Sequence, residues 1–305
     1  MGTSRSGSVG SSTRWNVTRD DLKAVAEAAL AGRPLSIPQP KLLAAKKKGA
    51  PEPDSPRGQK GGTPKTAGGM GGGASISQEA AAPTAPRSIR ALGKRLVAAG
   101  SSDRRFEPQL GDCAVKVAID LLVGLFTLAT IKYRTQRDTE KLLAEYGISG
   151  ARNVATALAM ALDKRYREDV VRKCRKATDS SEKARQAMQR TLIDILSPDG
   201  TPGAFIKLNA EALHASLRKT NSMKIVERFY ANYLYNTMEI LVSSIHADIN
   251  PKAEKNILSG LRITYCDEVA RRIVKRAREK GWRATEIPNK SGDWADLLTE
   301  EEVHA

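Results

Sequence analysis

The residue most suited to take part in a chemical reaction is Gly2, directly after the initiator methionine. Because a small second residue favours removal of Met1, we expect the chain to expose the α-amine of Gly2. An α-amine has an ordinary pKa of about 7.7–8.0, so a sizeable fraction is neutral near pH 7, whereas a lysine amine with a pKa near 10.4 is almost fully protonated. The sequence therefore predicts that Gly2 can act as a nucleophile and accept a covalent group. The alternative is an ordinary tail, since Gly and Ser begin many termini that carry no modification.

The same start also fits a lipidation pattern. Residues 1–6 read MGTSRS, which satisfies the M-G-x-x-x-[ST] pattern of N-myristoylation. One acyl chain gives only marginal membrane binding, and a basic linker could supply a second attraction to an anionic membrane. An N-acylated membrane adaptor is therefore an alternative interpretation of Gly2.

Motifs typical of enzymes and metal sites do not occur in the sequence. The histidines and cysteines lie in separate segments, without metal-ligand spacing or a C-x-x-C pair: His214, His246, His304, Cys113, Cys174 and Cys266. The Gly-rich runs lack the spacing of a phosphate-binding loop. We therefore expect no enzyme activity, no catalytic residue, no metal site and no cofactor. We also expect no disulfide framework, and reduced thiols in a cytoplasmic protein.

A dense basic run near the C-terminal end is the strongest candidate for binding nucleic acid. Residues 271–280 place many cations in three turns of a predicted helix, and the candidate contacts are Arg271, Arg272, Lys275, Arg276 and Arg278. The alternative is a solvated helix face whose charges favour the helix C-terminus, because no aromatic platform accompanies the run. A basic helical nucleic-acid-binding protein is thus a second possible function.

The charge of the whole chain favours acidic partners. Its 50 Lys and Arg residues exceed its 34 Asp and Glu residues, giving a formal net charge of +16, which suits nucleic acid, an anionic membrane or an acidic protein. The most apolar run, residues 121–131, is much shorter than the roughly 20 residues that a bilayer span needs. We therefore expect a buried core helix, no transmembrane segment and, without an apolar leader at the start, no export.

Composition divides the chain into five parts. Residues 1–17 are a predicted disordered tail rich in Gly and Ser, and residues 18–33 a short helix whose apolar stripe could dock on the body or on a partner. Residues 34–87 are a basic low-complexity linker rich in Pro and Gly. Residues 88–282 form the helical domain, and residues 283–305 an acidic segment expected to be a short helix or a docking peptide.

Helical patterns follow one another through the domain, with no period-2 strand pattern, so the predicted fold is all-α, an irregular multi-helix bundle. The predicted helices are 88–99, 114–132, 135–146, 151–176 as one helix or two, 181–196, 204–217, 222–245 and 251–280. The last two carry the apolar stripes expected at the centre: Val226, Phe229, Tyr230, Tyr233, Leu234, Met238 and Leu241, then Ile257, Leu258, Leu261, Tyr265, Val269 and Ile273. Asn250 and Pro251 are expected to cap and begin the last helix.

Four features occur together in this chain: the start MGTS in a Gly/Ser-rich tail, the Pro/Gly-rich linker, the SPDG turn at 197–200 and the sequence HADI at 246–249. Together they resemble the QatB-like components of the bacterial Qat anti-phage defence system. The resemblance implies a non-enzymatic subunit that acts with an ATPase, a QueC-like enzyme and a TatD-like nuclease of the same operon. It also implies that the QueC-like partner attaches a 7-deazaguanine through an amide to Gly2, with Thr3 and Ser4 as recognition residues.

Overall fold

Helices and connecting turns make up the computed structural model, which describes residues 22–23, 25–26, 85–100, 107–150, 153–197, 200–245, 249–294 and 297–298. Within these residues there is no β-strand, so the all-α fold is confirmed. The α-helices are α1 (Ala85–Gly100), α2 (Cys113–Thr127), α3 (Thr139–Ala144), α4 (Val154–Cys174), α5 (Asp179–Leu196), α6 (Pro202–Ile206), α7 (Ala210–Arg218), α8 (Ser222–Ile245), α9 (Pro251–Leu261) and α10 (Asp267–Glu279). Two π-helical turns, Leu128–Lys132 and Arg262–Cys266, follow α2 and α9, and 3-10 helices occupy Gln136–Asp138 and Ala284–Trp294.

Helix α8 lies at the centre of the core, as its apolar stripe predicts. It packs most extensively against α5 and α10 and also contacts α1, α2 and α9. Phe229, Tyr230 and Tyr233 are fully buried, with the Phe229 ring edge-on to Tyr230 at 5.8 Å and stacked on Tyr233 at 6.2 Å. Such aromatic pairs add about 0.5–1.5 kcal/mol beyond the burial of their area.

The predicted last helix is one continuous helical run with a π-turn in its middle. The Asn250 side chain accepts a hydrogen bond from the backbone N–H of Lys252 at 2.9 Å, and Pro251 occupies the first turn, which confirms the predicted cap. The π-turn between α9 and α10 brings Tyr265 and Cys266 into the core. Gly281, with a φ of +68°, ends the run in the left-handed conformation that suits glycine.

Two segments at the ends of the chain also pack into the core. Leu22, Val25 and Ala26 are buried, so the described part of the predicted short helix docks on the body. Leu297 and Leu298 are buried as well, and the Tyr265 hydroxyl donates a hydrogen bond to the Leu298 carbonyl at 3.0 Å. The described part of the acidic segment therefore docks on its own helical domain.

Helix α2 and its π-turn form the apolar helix that the sequence predicts. Most of its side chains are buried, including Val115, Ile119, Leu122 and Phe126, and it packs against α4, α5 and α8. The run Cys113–Lys132 is 20 residues long with a mean hydropathy of 2.0, long and apolar enough to cross a membrane by length and composition alone, and 56% of its most apolar window is buried inside the protein. Core helices of soluble proteins meet the same length and composition criteria.

Helix boundaries differ from the sequence prediction in several places. The predicted helix 135–146, for example, is the 3-10 turn Gln136–Asp138 followed by the short α-helix Thr139–Ala144. The predicted helix 204–217 is two helices, because Asn209 starts a new one by accepting a hydrogen bond from the Ala212 N–H at 2.8 Å. The segment 151–176, left open as one helix or two, contains the single helix α4. It ends at Arg175, whose φ of 66° is left-handed.

The expectation of unpaired, reduced cysteines is wrong for two of the three. Cys113 and Cys174 form a disulfide across 61 positions of sequence, with their Cα atoms 5.7 Å apart. Their separation along the chain gave no guide to their distance in space, because α2 and α4 pack side by side and the start of one helix meets the end of the other. Cys266 is free and buried.

Candidate functional site

The predicted modification site lies outside the described residues. Gly2, Thr3 and Ser4 belong to the part of the chain that the structure does not describe. The SPDG and HADI sequences, which also support the Qat resemblance, are described only in part, because residues 198–199 and 246–248 lie outside the described residues. Candidate surfaces are therefore assessed on the helical body.

The basic run forms the exposed side of α10. Five apolar side chains turn its other side into the core: Val269, Ala270, Ile273, Val274 and Ala277. Glu268 pairs with the first two cations, since it accepts hydrogen bonds from Arg271 Nη1 at 2.9 Å and from Arg272 Nε at 3.0 Å, and its single charge offsets only one of them. Lys275 and Arg278 are exposed, and neither pairs with a carboxylate among the described residues.

Arg276 is half-buried and interacts with other groups of the protein. The predicted set thus divides into cations that are held within the protein and cations that are open to an external anion. Arg271, Lys275 and Arg278 are the exposed members, at spacings of four and three residues along one helix, so they share a face.

An apolar groove between α4, α5 and α6 was not predicted from the sequence. It encloses a volume of about 520 Å³, and its apolar lining consists of Ala159, Met160, Ile193, Pro202, Phe205 and Ile206. Met160 is 68% exposed and Ile206 is 50% exposed, which is unusual for large apolar side chains on adjacent helices. Thr201 accepts a hydrogen bond from the Ala204 N–H at 3.3 Å and so starts the short helix that presents Ile206.

Charged side chains with fixed positions border the groove. Asp163 accepts hydrogen bonds from Arg185 Nη1 at 2.9 Å and from Gln189 Nε2 at 3.1 Å, and it pairs with Arg167 at 2.9 Å. Arg185 also binds both carboxylate oxygens of Glu182, and these hydrogen bonds hold the pKa of Glu182 below its usual range. An apolar floor with an ordered polar rim is the usual construction of a protein-binding surface.

A second cluster surrounds Tyr235, next to the groove along α5. The guanidinium groups of Arg190 and Arg262 lie over its ring, 5.0 and 5.4 Å from the centroid. Both cations are already paired: Arg190 Nη2 binds Glu239 at 2.9 Å, and Arg262 Nη2 binds Asp194 at 3.0 Å. The cluster therefore joins α5, α8 and the π-turn, and its internal pairing leaves little charge for an external ion.

Two buried titratable side chains are structural. His214 is 2% exposed, and its Nε2 lies 2.8 Å from the Tyr133 carbonyl at the end of the first π-turn. Lys183 is 3% exposed, and burial lowers its pKa while Asp179 and Asp112 oppose that shift. Among the residues that the structure describes, no group of three His, Cys, Asp or Glu side chains could hold a metal ion.

A signal for the groove is present in the sequence but weak. The buried stripe of α4 contains Leu158, Leu162 and Tyr166, and Met160 lies off that stripe. An apolar residue on the outer face of a helix indicates a possible contact surface, although single exposed apolar residues are common. Comparisons with protein-family models, with curated proteins and with solved structures found no match.

Proposed function

We propose that this chain is a non-enzymatic, partner-binding subunit of a cytoplasmic anti-phage defence complex, with Gly2 as the acceptor for a covalent group. The observation that carries the proposal is the exposed apolar groove between α4, α5 and α6. Large apolar side chains with a polar rim mark surfaces that another protein covers. The partners that the Qat resemblance suggests are an ATPase, a QueC-like enzyme and a TatD-like nuclease.

The chemistry at Gly2 supports the second half of the proposal. Loss of Met1 leaves a primary amine without a neighbouring side chain, and near pH 7 an α-amine is neutral far more often than a lysine amine. An enzyme that uses ATP to convert the carboxylate of a 7-deazaguanine into an acyl adenylate could bind this amine. The amine would attack the acyl carbon, the bond from that carbon to AMP would break, and the amide would form with loss of AMP and one amine proton. This chain supplies only the acceptor, so the step requires no cofactor bound to the chain.

The double substitution Met160→Glu and Ile206→Glu should abolish copurification of the chain with its operon partners. Two carboxylates in the groove would have to be desolvated on binding, which is costly without a cationic partner. Coexpression with the three neighbouring genes, followed by size-exclusion chromatography, measures the complex. Ile131→Glu is the matched control, because Ile131 is 62% exposed but lies outside the groove. Equal complex formation by the double variant and the wild type would contradict the role of the groove.

The same preparations test Gly2 through the mass of the N-terminal peptide. We expect a nucleobase-sized increment on Gly2 in the wild type and none in Gly2→Trp, since a bulky second residue blocks both removal of Met1 and entry into an enzyme site. Gly2→Ala keeps the small second residue and so separates removal of Met1 from a requirement for glycine. A fatty-acyl increment would instead establish a membrane adaptor, and an unmodified Gly2 in the assembled complex would contradict the acceptor role.

A second candidate function is nucleic-acid binding through the exposed side of α10. Specific support comes from Lys275 and Arg278, which are exposed and unpaired among the described residues. Each phosphate contact releases counterions, so the salt dependence of binding reports the number of contacts. The double variant Lys275→Glu and Arg278→Glu should make about two contacts fewer, and the slope of log binding constant against log salt should become shallower by about 2. Fluorescence anisotropy with DNA and RNA from about 50 to 200 mM salt measures the slope of the logarithm of the binding constant against the logarithm of the salt concentration. Lys224→Glu, on the exposed side of α8, is the control for a simple loss of charge. If the wild type binds neither nucleic acid at low salt, this function is wrong.

A further inference from the structure

The disulfide joins two helix ends at the surface of the protein. Cys113 is the first residue of α2 and Cys174 is the last residue of α4. Cys113 is exposed and Cys174 is half-buried, whereas the free Cys266 is fully buried. A reductant in solution would therefore approach the bridge from the side of Cys113, away from the core.

The position of Cys113 favours a negative charge on its sulfur. The N-terminus of a helix stabilises a thiolate, and α2 extends for 15 residues from Cys113. Lys116 lies one turn along the same helix. Asp112 opposes this effect, although its carboxylate accepts a hydrogen bond from the Ala114 N–H at 2.7 Å.

Cations surround the other end of the bridge. Arg172, Lys173, Arg175 and Lys176 flank Cys174. Asp169 pairs with Lys173 at 3.0 Å and also with Arg172, and Asp120 interacts with Lys173 as well, so Arg175 and Lys176 are the cations without a carboxylate partner among the described residues. Electropositive, accessible surroundings of this kind are typical of reactive cysteines rather than of inert, buried ones.

The two helices do not depend on the bridge for their packing. Helices α2 and α4 pack against each other, and both contribute buried side chains to the core, among them Val115, Ile119, Leu158 and Leu162. The last turn of α4 is different, because its residues 171–173 are exposed and it ends at the left-handed Arg175. Opening the bridge should therefore release this basic turn and leave the domain folded.

We propose that Cys113–Cys174 is an exchangeable redox bridge, opened by a dithiol reductant, which controls the order of the basic C-terminal turn of α4. One thiolate of the reductant attacks the Cys113 sulfur, forms a mixed disulfide and expels Cys174, which takes up a proton. The second reductant thiolate then attacks the reductant sulfur of the mixed disulfide and expels the Cys113 thiolate, which the helix N-terminus stabilises. The reductant becomes a disulfide, and the protein gains two electrons and one proton, which Cys174 carries while Cys113 stays a thiolate.

The test incubates the folded protein with dithiothreitol or a thioredoxin, then alkylates the thiols and maps them by peptide mass. We expect alkylation of Cys113 and Cys174 while Cys266 stays unmodified, since burial shields Cys266 and raises the pKa of its thiol. Cys266 thus reports unfolding inside the same molecule. If Cys113 and Cys174 become reactive only when Cys266 does, the bridge is a permanent part of the fold and the proposal is wrong.

Trypsin measures the release of the basic turn. Cleavage after Arg172, Lys173, Arg175 and Lys176 should be about tenfold faster in the reduced protein, as for a terminal turn that opens locally, while cleavage after Arg137 stays unchanged. The variant with Cys113→Ser and Cys174→Ser should show the fast rate without reductant and a Tm lower by about 10 °C. Equal cleavage rates in the oxidised and reduced proteins would overturn the proposed control of this turn.

Discussion

Replacing Gly93 with alanine will destabilise the fold by about 2 kcal/mol, because a Cβ atom at this position has no room. It would lie 2.6 Å from Cγ and 2.9 Å from Cδ2 of Tyr265, closer than real Cβ contacts come. The Tyr265 ring is 1% exposed, and its hydroxyl is fixed to the Leu298 carbonyl, so the ring cannot move aside. The close approach of α1 to the second π-turn therefore requires glycine at position 93.

Two other helical glycines provide graded controls for this prediction. Gly124→Ala in α2 should stabilise the protein by about 0.5–1 kcal/mol, because nothing lies within 4 Å of the added Cβ and alanine is the better helix former. Gly260→Ala should fall between the two, since its contact at 2.6 Å is the terminal Cδ1 of Ile89, which can shift. Urea unfolding of the three variants measures the order. Equal effects at Gly93 and Gly124 would mean that helix propensity, not the contact with Tyr265, decides the outcome.

The central helices could be predicted from the sequence because their apolar residues repeat at helical spacing. The stripes of α8 and of the run through α9 and α10 are buried as predicted, and the cap formed by Asn250 follows from local chemistry. The split at Asn209 was equally local, since Asn is a preferred N-cap, but the surrounding helical pattern concealed it. The π-turn at Arg262–Cys266 left no comparable pattern.

The candidate surfaces could be predicted only where one helix forms them. The exposed cations of α10 follow from its periodicity, and the pairing of Glu268 with Arg271 and Arg272 follows from spacings of three and four residues. The groove beside Met160 and the Cys113–Cys174 disulfide each need helices that are distant in sequence. Tertiary packing fixes these features, and the periodicity of a single helix does not contain that information.

The buried tyrosines make the fold sensitive to alkaline pH. Tyr166, Tyr230, Tyr233 and Tyr265 are at most 2% exposed, and burial raises the pKa of each phenol above its ordinary value. Above pH 10 or so, the unfolded chain loses these four protons while the folded protein keeps them, so the free energy of unfolding falls as the pH rises. Each proton contributes about 1.4 kcal/mol per pH unit, and four give about 5.5 kcal/mol per pH unit.

Two other buried groups shape the onset of this decline. Burial raises the pKa of the Cys266 thiol. The free energy of unfolding therefore begins to fall near the ordinary thiol pKa of about 8.5, with the slope that one proton gives. Lys183 acts in the opposite direction, because burial lowers its pKa and it loses its proton at a lower pH in the folded protein than in the unfolded chain. Its contribution to the free energy of unfolding therefore rises with pH until about pH 10.4, where the unfolded chain also loses this proton. Above that pH only the raised groups contribute to the slope. Since a whole domain is stable by about 5–15 kcal/mol, we expect unfolding between about pH 11 and 12.

Urea unfolding from about pH 8 to 11, with ultraviolet titration of the phenolates, measures both the slope and its source. Tyr230→Phe should reduce the slope by about 1.4 kcal/mol per pH unit, and it should cost about 1 kcal/mol at pH 7 through loss of its hydrogen bond to the Leu110 carbonyl. Tyr235→Phe is the control with a smaller effect, because this ring is only half-buried. Phenolates that titrate near pH 10 in the folded protein, or a free energy of unfolding that stays constant with pH, would contradict the packing of these rings. If Tyr230→Phe changes the slope of the free energy of unfolding against pH by the amount expected for one proton, the burial of the tyrosine rings, rather than the net charge of the chain, sets the alkaline limit of the fold.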